Sequence, residues 1–141
     1  MRVLLVLTIF GCLCSGGIAQ TVSTLFARGY TVIPEPQKIL LGPRDFTFAH
    51  NWQLKLDRSV ASNDVAVETL REDLSARFHL TLDGEGKPRG VLSLRIARGS
   101  VPIGSAQDQN KSALEEQAYR IELHRDSIVI MANADTGLFY G

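Results

Sequence analysis

The spacing of apolar residues changes twice in the middle of this chain, and this change constrains the fold more than any other feature. In WQLKLD, residues 52–57, apolar and polar residues alternate, as in a half-buried strand. In NDVAVETLREDLSARFH, residues 63–79, apolar residues recur every three or four positions, which predicts an amphipathic helix with a solvated charged face. In VLSLRIA, residues 91–97, the alternation returns. The pattern therefore predicts a strand, a helix and a second strand.

The ends of the predicted helix carry capping signals. Ser62 or Asn63 can cap its first turn, and the carboxylate of Asp64 suits the positive end of the helix dipole. The apolar face is formed by Val67, Leu70, Leu74 and Phe78.

The C-terminal part predicts a hairpin followed by a second helix. AYRIELHRDSIVIMA, residues 118–132, contains two strand patterns around a turn at Arg125-Asp126. SIVIMA, residues 127–132, is apolar at nearly every position, which places this strand in the centre of a sheet. ADTGLFYG, residues 134–141, has the pattern of a turn and the first apolar turn of a helix that stops at Gly141.

These elements together predict an α+β fold, in which an antiparallel or mixed sheet carries helices on one face and the second helix is truncated. Leu92, Leu94, Ile121 and Leu123 are expected on the helix-covered face. Because one helix covers only part of such a face, we expect an apolar patch and marginal stability for the truncated domain.

The N-terminus, MRVLLVLTIFGCLCSGGIAQ, resembles a secretory signal peptide. One positive residue, Arg2, precedes an apolar stretch from Val3 to Leu13, and small residues lead to Ala19. The stretch is shorter than the roughly 20 apolar residues of a membrane-spanning helix. We therefore expect residues 1–19 to be a signal peptide cleaved after Ala19, with secretion or periplasmic export. The alternatives are a buried strand and a lipoprotein lipidated at Cys12.

Signal cleavage would change both the charge and the cysteine content. Removing Arg2 reduces the 15 basic residues to 14 against 15 acidic residues, a net charge of −1. This balance gives no indication of a nucleic-acid partner. Cys12 and Cys14 would also be lost, so the exported domain would hold neither a disulfide nor a thiolate metal site.

The remaining segments are connecting regions. Residues 20–31 are a lead-in without a firm pattern, and the domain is expected to occupy residues 32–141. VIPEPQKI, residues 32–39, is expected to be extended, since each proline disfavours helix at the preceding residue, and to be packed, since apolar residues flank the prolines; the alternative is an exposed polyproline ligand. GPRDFTF, residues 42–48, predicts a turn and a strand, whereas residues 98–113 predict a flexible loop. Asn110-Lys111-Ser112, within that loop, matches the N-glycosylation pattern without deciding a function.

No catalytic, metal or cofactor-binding residue is predicted in this chain, and no cofactor. The histidines follow no metal-ligand spacing, and the carboxylates lack an orienting partner at a defensible spacing. The residues considered were His50, His79, His124, Glu72, Asp73, Glu115, Glu116 and Asp126. His79 is expected to have a structural role at the helix C-terminus. Trp52, the one tryptophan, is in phase with Leu54 and Leu56, so we expect it in the core and not on a binding surface.

Two stretches carry a family resemblance. VIPEPQKI followed by the Gly42–Phe48 turn and strand, and AYRIELHRDSIVIMANADTGLFYG at residues 118–141, resemble the N-terminal accessory domain of family 20 glycoside hydrolases. These enzymes are β-N-acetylhexosaminidases. The resemblance covers about residues 30–141. It implies that the second helix leads into a (β/α)₈ barrel, and that this chain is an N-terminal piece of a longer enzyme.

The resemblance also implies the chemistry of the parent enzyme. In the family, a glutamic acid protonates the leaving oxygen while the substrate's 2-acetamido carbonyl attacks the anomeric carbon, an exception to the usual two-carboxylate scheme. A neighbouring aspartate orients the acetamido group. These residues belong to the barrel, so none is carried over to this chain, which is expected to be inactive. Its expected role is to pack on the barrel and stabilise it.

Two other interpretations are open. The chain can be the similar accessory domain of another acetamido-sugar or uronic-acid hydrolase. It can also be a free-standing exported binding module, which would need an exposed aromatic platform. A downstream reading frame with an Asp-Glu pair after a strand would select the hexosaminidase.

Overall fold

A computed structural model describes residues 24–32, 36–43, 48, 51–83, 86–104 and 109–141. The predicted signal peptide, three of the eight residues of the proline-rich entry segment (33–35) and most of the predicted 42–48 strand lie outside these residues. Contacts divide the chain into one unit up to Leu41 and a second from Gly42 to Gly141. In the described part of the first unit, the short helix α1 spans Thr24–Ala27 and is followed by Gly29, whose φ is +83°.

The described residues of the second unit form a four-stranded mixed sheet. Its strands are β1 (Trp52–Leu56), β2 (Gly90–Ile96), β3 (Tyr119–Leu123) and β4 (Ser127–Ala132). Their order across the sheet is β1-β2-β4-β3. The pairs β1/β2 and β2/β4 are parallel, whereas β3 and β4 form the antiparallel hairpin that the sequence predicts. The placement of SIVIMA inside the sheet is confirmed.

The register places the alternating apolar residues on one face. Leu92 is paired with Leu54 on one side and with Ile128 on the other. Leu94, two residues further along β2, lies on the same face. Since directly paired residues share a face, these residues form the inner side of the sheet. Leu92, Leu94 and Ile128 are buried.

Helix α2 (Val65–Phe78) connects the parallel strands β1 and β2 and packs on the inner face through Val67, Leu70 and Leu74. The predicted cap was wrong by one or two residues: Asp64 is the N-cap, and its carboxylate accepts the Ala66 N–H at 2.8 Å. Phe78 was also misassigned, because its side chain is 63% exposed.

The described residues of this unit contain two further helices. Helix α3 (Lys111–Gln117) overlaps the predicted loop and begins at the N-cap Asn110, whose side chain accepts the Ala113 N–H. Helix α4 (Asp135–Tyr140) follows β4 directly, where the sequence predicts a helix start. It contacts α2 and α3 and packs on β2, β3 and β4. The mixed sheet with its helices confirms the α+β class.

The core combines the sheet, α2 and α4. Trp52 is 1% exposed and lies in this core, as its phase with Leu54 predicts. Its ring covers Gly90, and a Cβ at that glycine would lie 2.5 Å from the indole. Ile121 and Leu123 are in phase with the buried residues but 45% and 56% exposed, so the described helices leave this part of the inner face uncovered, as expected for a face that is only partly covered.

Candidate functional site

The segment from Asn133 to Gly141 follows the central strand. It contacts the loop after β2, the end of α3 and the hydrophobic core. Ala134 occupies the N-cap position of α4, and the Leu138 N–H donates to its carbonyl at 3.0 Å. Asp135 places a carboxylate in the first helical turn, where the helix dipole favours negative charge. This segment is part of the stretch that carries the family resemblance.

Asn133 joins the end of β4 to the loop after β2. Its Oδ1 accepts the Val101 N–H at 2.8 Å, and its Nδ2 donates to the Val101 carbonyl at 2.8 Å. Asn133 is 5% exposed and Val101 is buried. One side-chain amide therefore satisfies both backbone groups of a buried residue that has no strand partner.

Gly137 lets α4 approach the end of α3. A Cβ at this position would lie 2.6 Å from the Ala118 carbonyl oxygen and 2.9 Å from that of Glu116. The next residue, Leu138, is buried in the core. A residue without a side chain is therefore needed where the two helices meet.

The outer side of α4 is apolar. Phe139 and Tyr140 are exposed, with ring centroids 5.9 Å apart in an edge-to-face arrangement. Together with the exposed Val65 of α2 they line a concavity, which we call the helix-end surface. Asp64 and Asp135 also line it, so its apolar centre has acidic residues beside it.

The histidines considered from the sequence do not form a site in the described residues. His79 is the C-cap of α2, with φ of +54°, and its backbone N–H bonds the Leu74 and Ser75 carbonyls. His124 is exposed next to the β3–β4 turn, with Nε2 3.8 Å from Glu122. His50 lies outside the described residues.

The carboxylates considered from the sequence are likewise distributed over the surface. Glu115 and Glu116 are exposed on α3, and Asp126 is exposed in the β3–β4 turn. On α2, Asp73 forms an exposed ion pair with Arg77 at 3.2 Å. Such surface pairs contribute little to stability.

Asp57 has a pKa below the usual aspartate value. The main cause is the Ser59 backbone N–H, which donates to Oδ1 at 3.1 Å, followed by the Ser59 hydroxyl at 2.9 Å. The Ser59 Oγ in turn accepts the Ile96 N–H at 3.0 Å. Asp57 is exposed and fixes the turn after β1 against the end of β2, which is a structural arrangement.

Among the described residues there is neither a metal-binding cluster nor a membrane-spanning helix. No group of three or more His, Cys, Asp or Glu side chains in this part of the chain is arranged to hold a metal ion. None of its helices has the length and apolar character needed to cross a membrane.

The contacts of this site are made by Asn133 and Gly137. Residues that could catalyse a reaction or bind a metal were considered from the sequence, and neither of these two was among them. A signal for each was present: a polar amide directly after an apolar strand, and a glycine inside a helix start, are local exceptions that usually have a packing reason. The fold and this segment define a helix-covered α+β domain whose distinctive features are packing contacts.

A comparison with protein families identifies the domain. Residues 29–141 match the family model described as glycosyl hydrolase family 20, domain 2. The chain therefore belongs to glycosyl hydrolase family 20 and contains the accessory domain of a glycoside hydrolase, as the resemblance implies. Comparisons with characterised proteins and with solved structures found no match.

Proposed function

We propose that this chain is the non-catalytic N-terminal part of an exported β-N-acetylhexosaminidase, which removes terminal N-acetylhexosamine from glycoconjugates or chitooligosaccharides. The observation that carries this proposal is the match of residues 29–141 to the accessory domain of family 20. The catalytic acid and the acetamido-orienting aspartate belong to the barrel of the parent enzyme, and the accessory domain stabilises that barrel.

The helix-end surface is the part of the domain that we assign to barrel packing. Val65, Phe139 and Tyr140 expose apolar area on two neighbouring helices, and exposed aromatic clusters of this kind are typical of interface centres. The acidic Asp64 and Asp135 beside it favour a basic rim on the barrel.

The packing role has a matched test in the parent enzyme. Phe139→Ser should lower the thermal midpoint of the whole enzyme and the half-life of its activity, because it removes an aromatic contact with the barrel. Phe78→Ser is the control, since Phe78 is similarly exposed but lies at the other end of α2. Equal effects of the two substitutions would show that the helix-end surface is not the barrel contact.

The activity assignment is tested by comparing this chain with the parent enzyme. The purified chain, incubated with an aryl β-N-acetylglucosaminide, should release no product above the buffer control, whereas the parent should turn it over. A parent that cleaves an aryl β-glucuronide instead would select the uronic-acid hydrolase. Turnover by the chain alone, abolished by changing one of its carboxylates, would overturn the accessory-domain proposal.

Export is tested on the mature N-terminus. Mass spectrometry of the secreted or periplasmic protein should find Gln20 as the first residue, as expected for cleavage after Ala19. A protein that keeps Met1, or that begins at a lipidated Cys12, contradicts the proposed signal cleavage.

The proposal also predicts that a continuation of α4 stabilises the domain by covering the exposed part of the inner face. A Cβ at Gly141 would lie 2.7 Å from an Ile130 methyl group, so the end of α4 lies on the sheet beside the exposed Ile121. In a parent chain that continues this helix, the added turns would cover Ile121 and Leu123. Burial of each large apolar side chain contributes roughly 1.5–3 kcal/mol. An extension of about 20 residues should therefore restore a cooperative thermal transition; no gain in stability would contradict this.

A further inference from the structure

The phase of the β3–β4 hairpin determines which backbone groups lie at the outer edge of β3. The His124 N–H donates to the Ser127 carbonyl, and the Asn133 N–H donates to the Ala118 carbonyl. These two bonds fix the phase of the hairpin, because backbone groups of alternate residues point to opposite edges of a strand. Arg120 and Glu122 thus direct their backbone groups to β4, whereas Tyr119, Ile121 and Leu123 direct theirs outward.

Within the part of the chain that the structure describes, no strand pairs along that outer edge. The other end of the sheet is different, since the Leu54 N–H of β1 donates to the Leu82 carbonyl at 3.2 Å and Gln53 forms a bridge with Asp83. The two edges are therefore not equivalent. An association through β3 joins two sheets and does not continue into a fibre.

We propose that β3 pairs antiparallel with β3 of a second copy of this chain, with Ile121 opposite Ile121. In this register each outward N–H meets an outward carbonyl of the second copy, and Tyr119 lies opposite Leu123. On the opposite face, Arg120 lies opposite Glu122 of the second copy, at both ends of the pair. This association does not depend on the proposed catalytic role of the parent.

The charges of β3 select this register. Sliding the second copy by two residues in one direction places Arg120 opposite Arg120, and sliding it in the other places Glu122 opposite Glu122. Opposite charges stabilise directly facing strand positions, whereas like charges destabilise them. Arg120 and Glu122 are about half exposed and already form an ion pair at 2.9 Å within one copy, so pairing produces a group of four alternating charges.

The apolar face of β3 also favours pairing with a second copy of this chain. Ile121 and Leu123 are exposed within one copy, and in the paired arrangement they adjoin Ile121 and Tyr119 of the second copy. A five-residue strand buries less surface than a stable dimer needs. We therefore expect a reversible dimer with a dissociation constant in the micromolar range or weaker.

Complementary charge reversals test the proposal. Arg120→Glu and Glu122→Arg each place like charges opposite one another in the homodimer, so each should weaken dimerisation about tenfold or more in sedimentation velocity. An equimolar mixture of the two variants restores both opposite-charge pairs and should dimerise again. Lys55→Glu, an exposed charge reversal on β1, is the matched control and should leave the dimer unchanged.

The mixture also separates loss of pairing from loss of folding, since a variant that cannot fold is not rescued by its complement. Fluorescence energy transfer should appear when the donor and acceptor labels are on the two different variants. It should not appear when both labels are on copies of the same variant. A wild-type chain that stays monomeric from micromolar to millimolar concentration would overturn the proposal. So would association that is equal in the wild type and in both single variants, because it would then arise from apolar contact alone.

Discussion

Replacing Asn133 should destabilise the domain more than any surface asparagine. In Asn133→Ala, the Val101 N–H and carbonyl both lose their partner, and both lie in a buried site. Each unsatisfied buried backbone group costs about 1–3 kcal/mol. We expect a loss of about 2–6 kcal/mol, which is a large part of a typical net stability of about 5–15 kcal/mol.

The assay is thermal and chemical unfolding, followed by circular dichroism, of the chain extended by about 20 residues, in which a cooperative transition is expected. A loss of this size lowers the midpoint of a domain of this length by about 10 °C or more. Asn63→Ala is the matched control, because Asn63 is exposed in the turn before α2. A midpoint for Asn133→Ala within a degree or two of that control would refute the argument that the two hydrogen bonds to Val101 hold the loop.

A second substitution at the same position gives a pH-dependent signature. Asn133→Asp keeps the acceptor for the Val101 N–H but turns an oxygen toward the Val101 carbonyl. Burial raises the pKa of such a carboxyl in the folded state above its unfolded value of about 3.9. Its protonated form can donate to the carbonyl, so stability is greatest below the unfolded pKa and is lost as pH rises through the folded pKa. The deficit relative to wild type should therefore shrink as the pH is lowered toward 4.

Three further predictions concern single residues. Gly137→Ala should destabilise the domain by about 1–3 kcal/mol in denaturant unfolding, since the added methyl group meets the Ala118 carbonyl and the gain in helix propensity is smaller; an unchanged midpoint would contradict the close approach. Gly90→Ala should displace the Trp52 ring and red-shift its emission, and because the chain has one tryptophan the signal is specific; unaltered emission would show that the core absorbs the methyl group. The lowered pKa of Asp57 means that its carboxylate contributes stability that is present above the unfolded pKa and lost as pH falls through the folded value. The stability difference between wild type and Asp57→Asn should therefore disappear in acid, and a difference that persists there would have another cause.

The strands β1, β2 and β3 were predictable because each carries a two-residue period of apolar residues. Trp52, Leu54 and Leu56 alternate on β1, and the structure places the strand at these residues. The central position of β4 followed from its apolar residues on both faces. The parallel pairing of β2 with β4 depends on contacts between segments that are distant in the chain, and no local pattern specifies it.

The errors have local physical causes. Helix α3 has little apolar periodicity, with Leu114 as its one large apolar residue, so its existence depends on the Asn110 cap and on packing against α4. Phe78 continues the apolar spacing of α2, yet it is in the last turn and exposed. The spacing of a helix defines a face, but tertiary contacts decide how far along the helix that face is covered.

The packing segment could be predicted only in part. The sequence indicates the turn and the helix start after β4, but the bonds of Asn133 to Val101 join positions that are 32 residues apart. No short-range pattern identifies such a pair. Conversely, the absence of a catalytic residue in this chain stays a prediction, and the assays proposed above test it.

The position of β4 determines the order in which the domain can assemble. β4 is the last strand in the chain, yet it lies between β2 and β3. The β3–β4 hairpin closes locally, on a timescale of microseconds, whereas pairing of β4 with β2 must first close the long connection from Ala97 to Asp126. We therefore expect docking of the finished hairpin onto the β1–α2–β2 unit to limit the folding rate. Until Ala132 has emerged during synthesis, the edge of β2 that pairs with β4 is unpaired. The sheet can therefore be completed only after β4 has been translated.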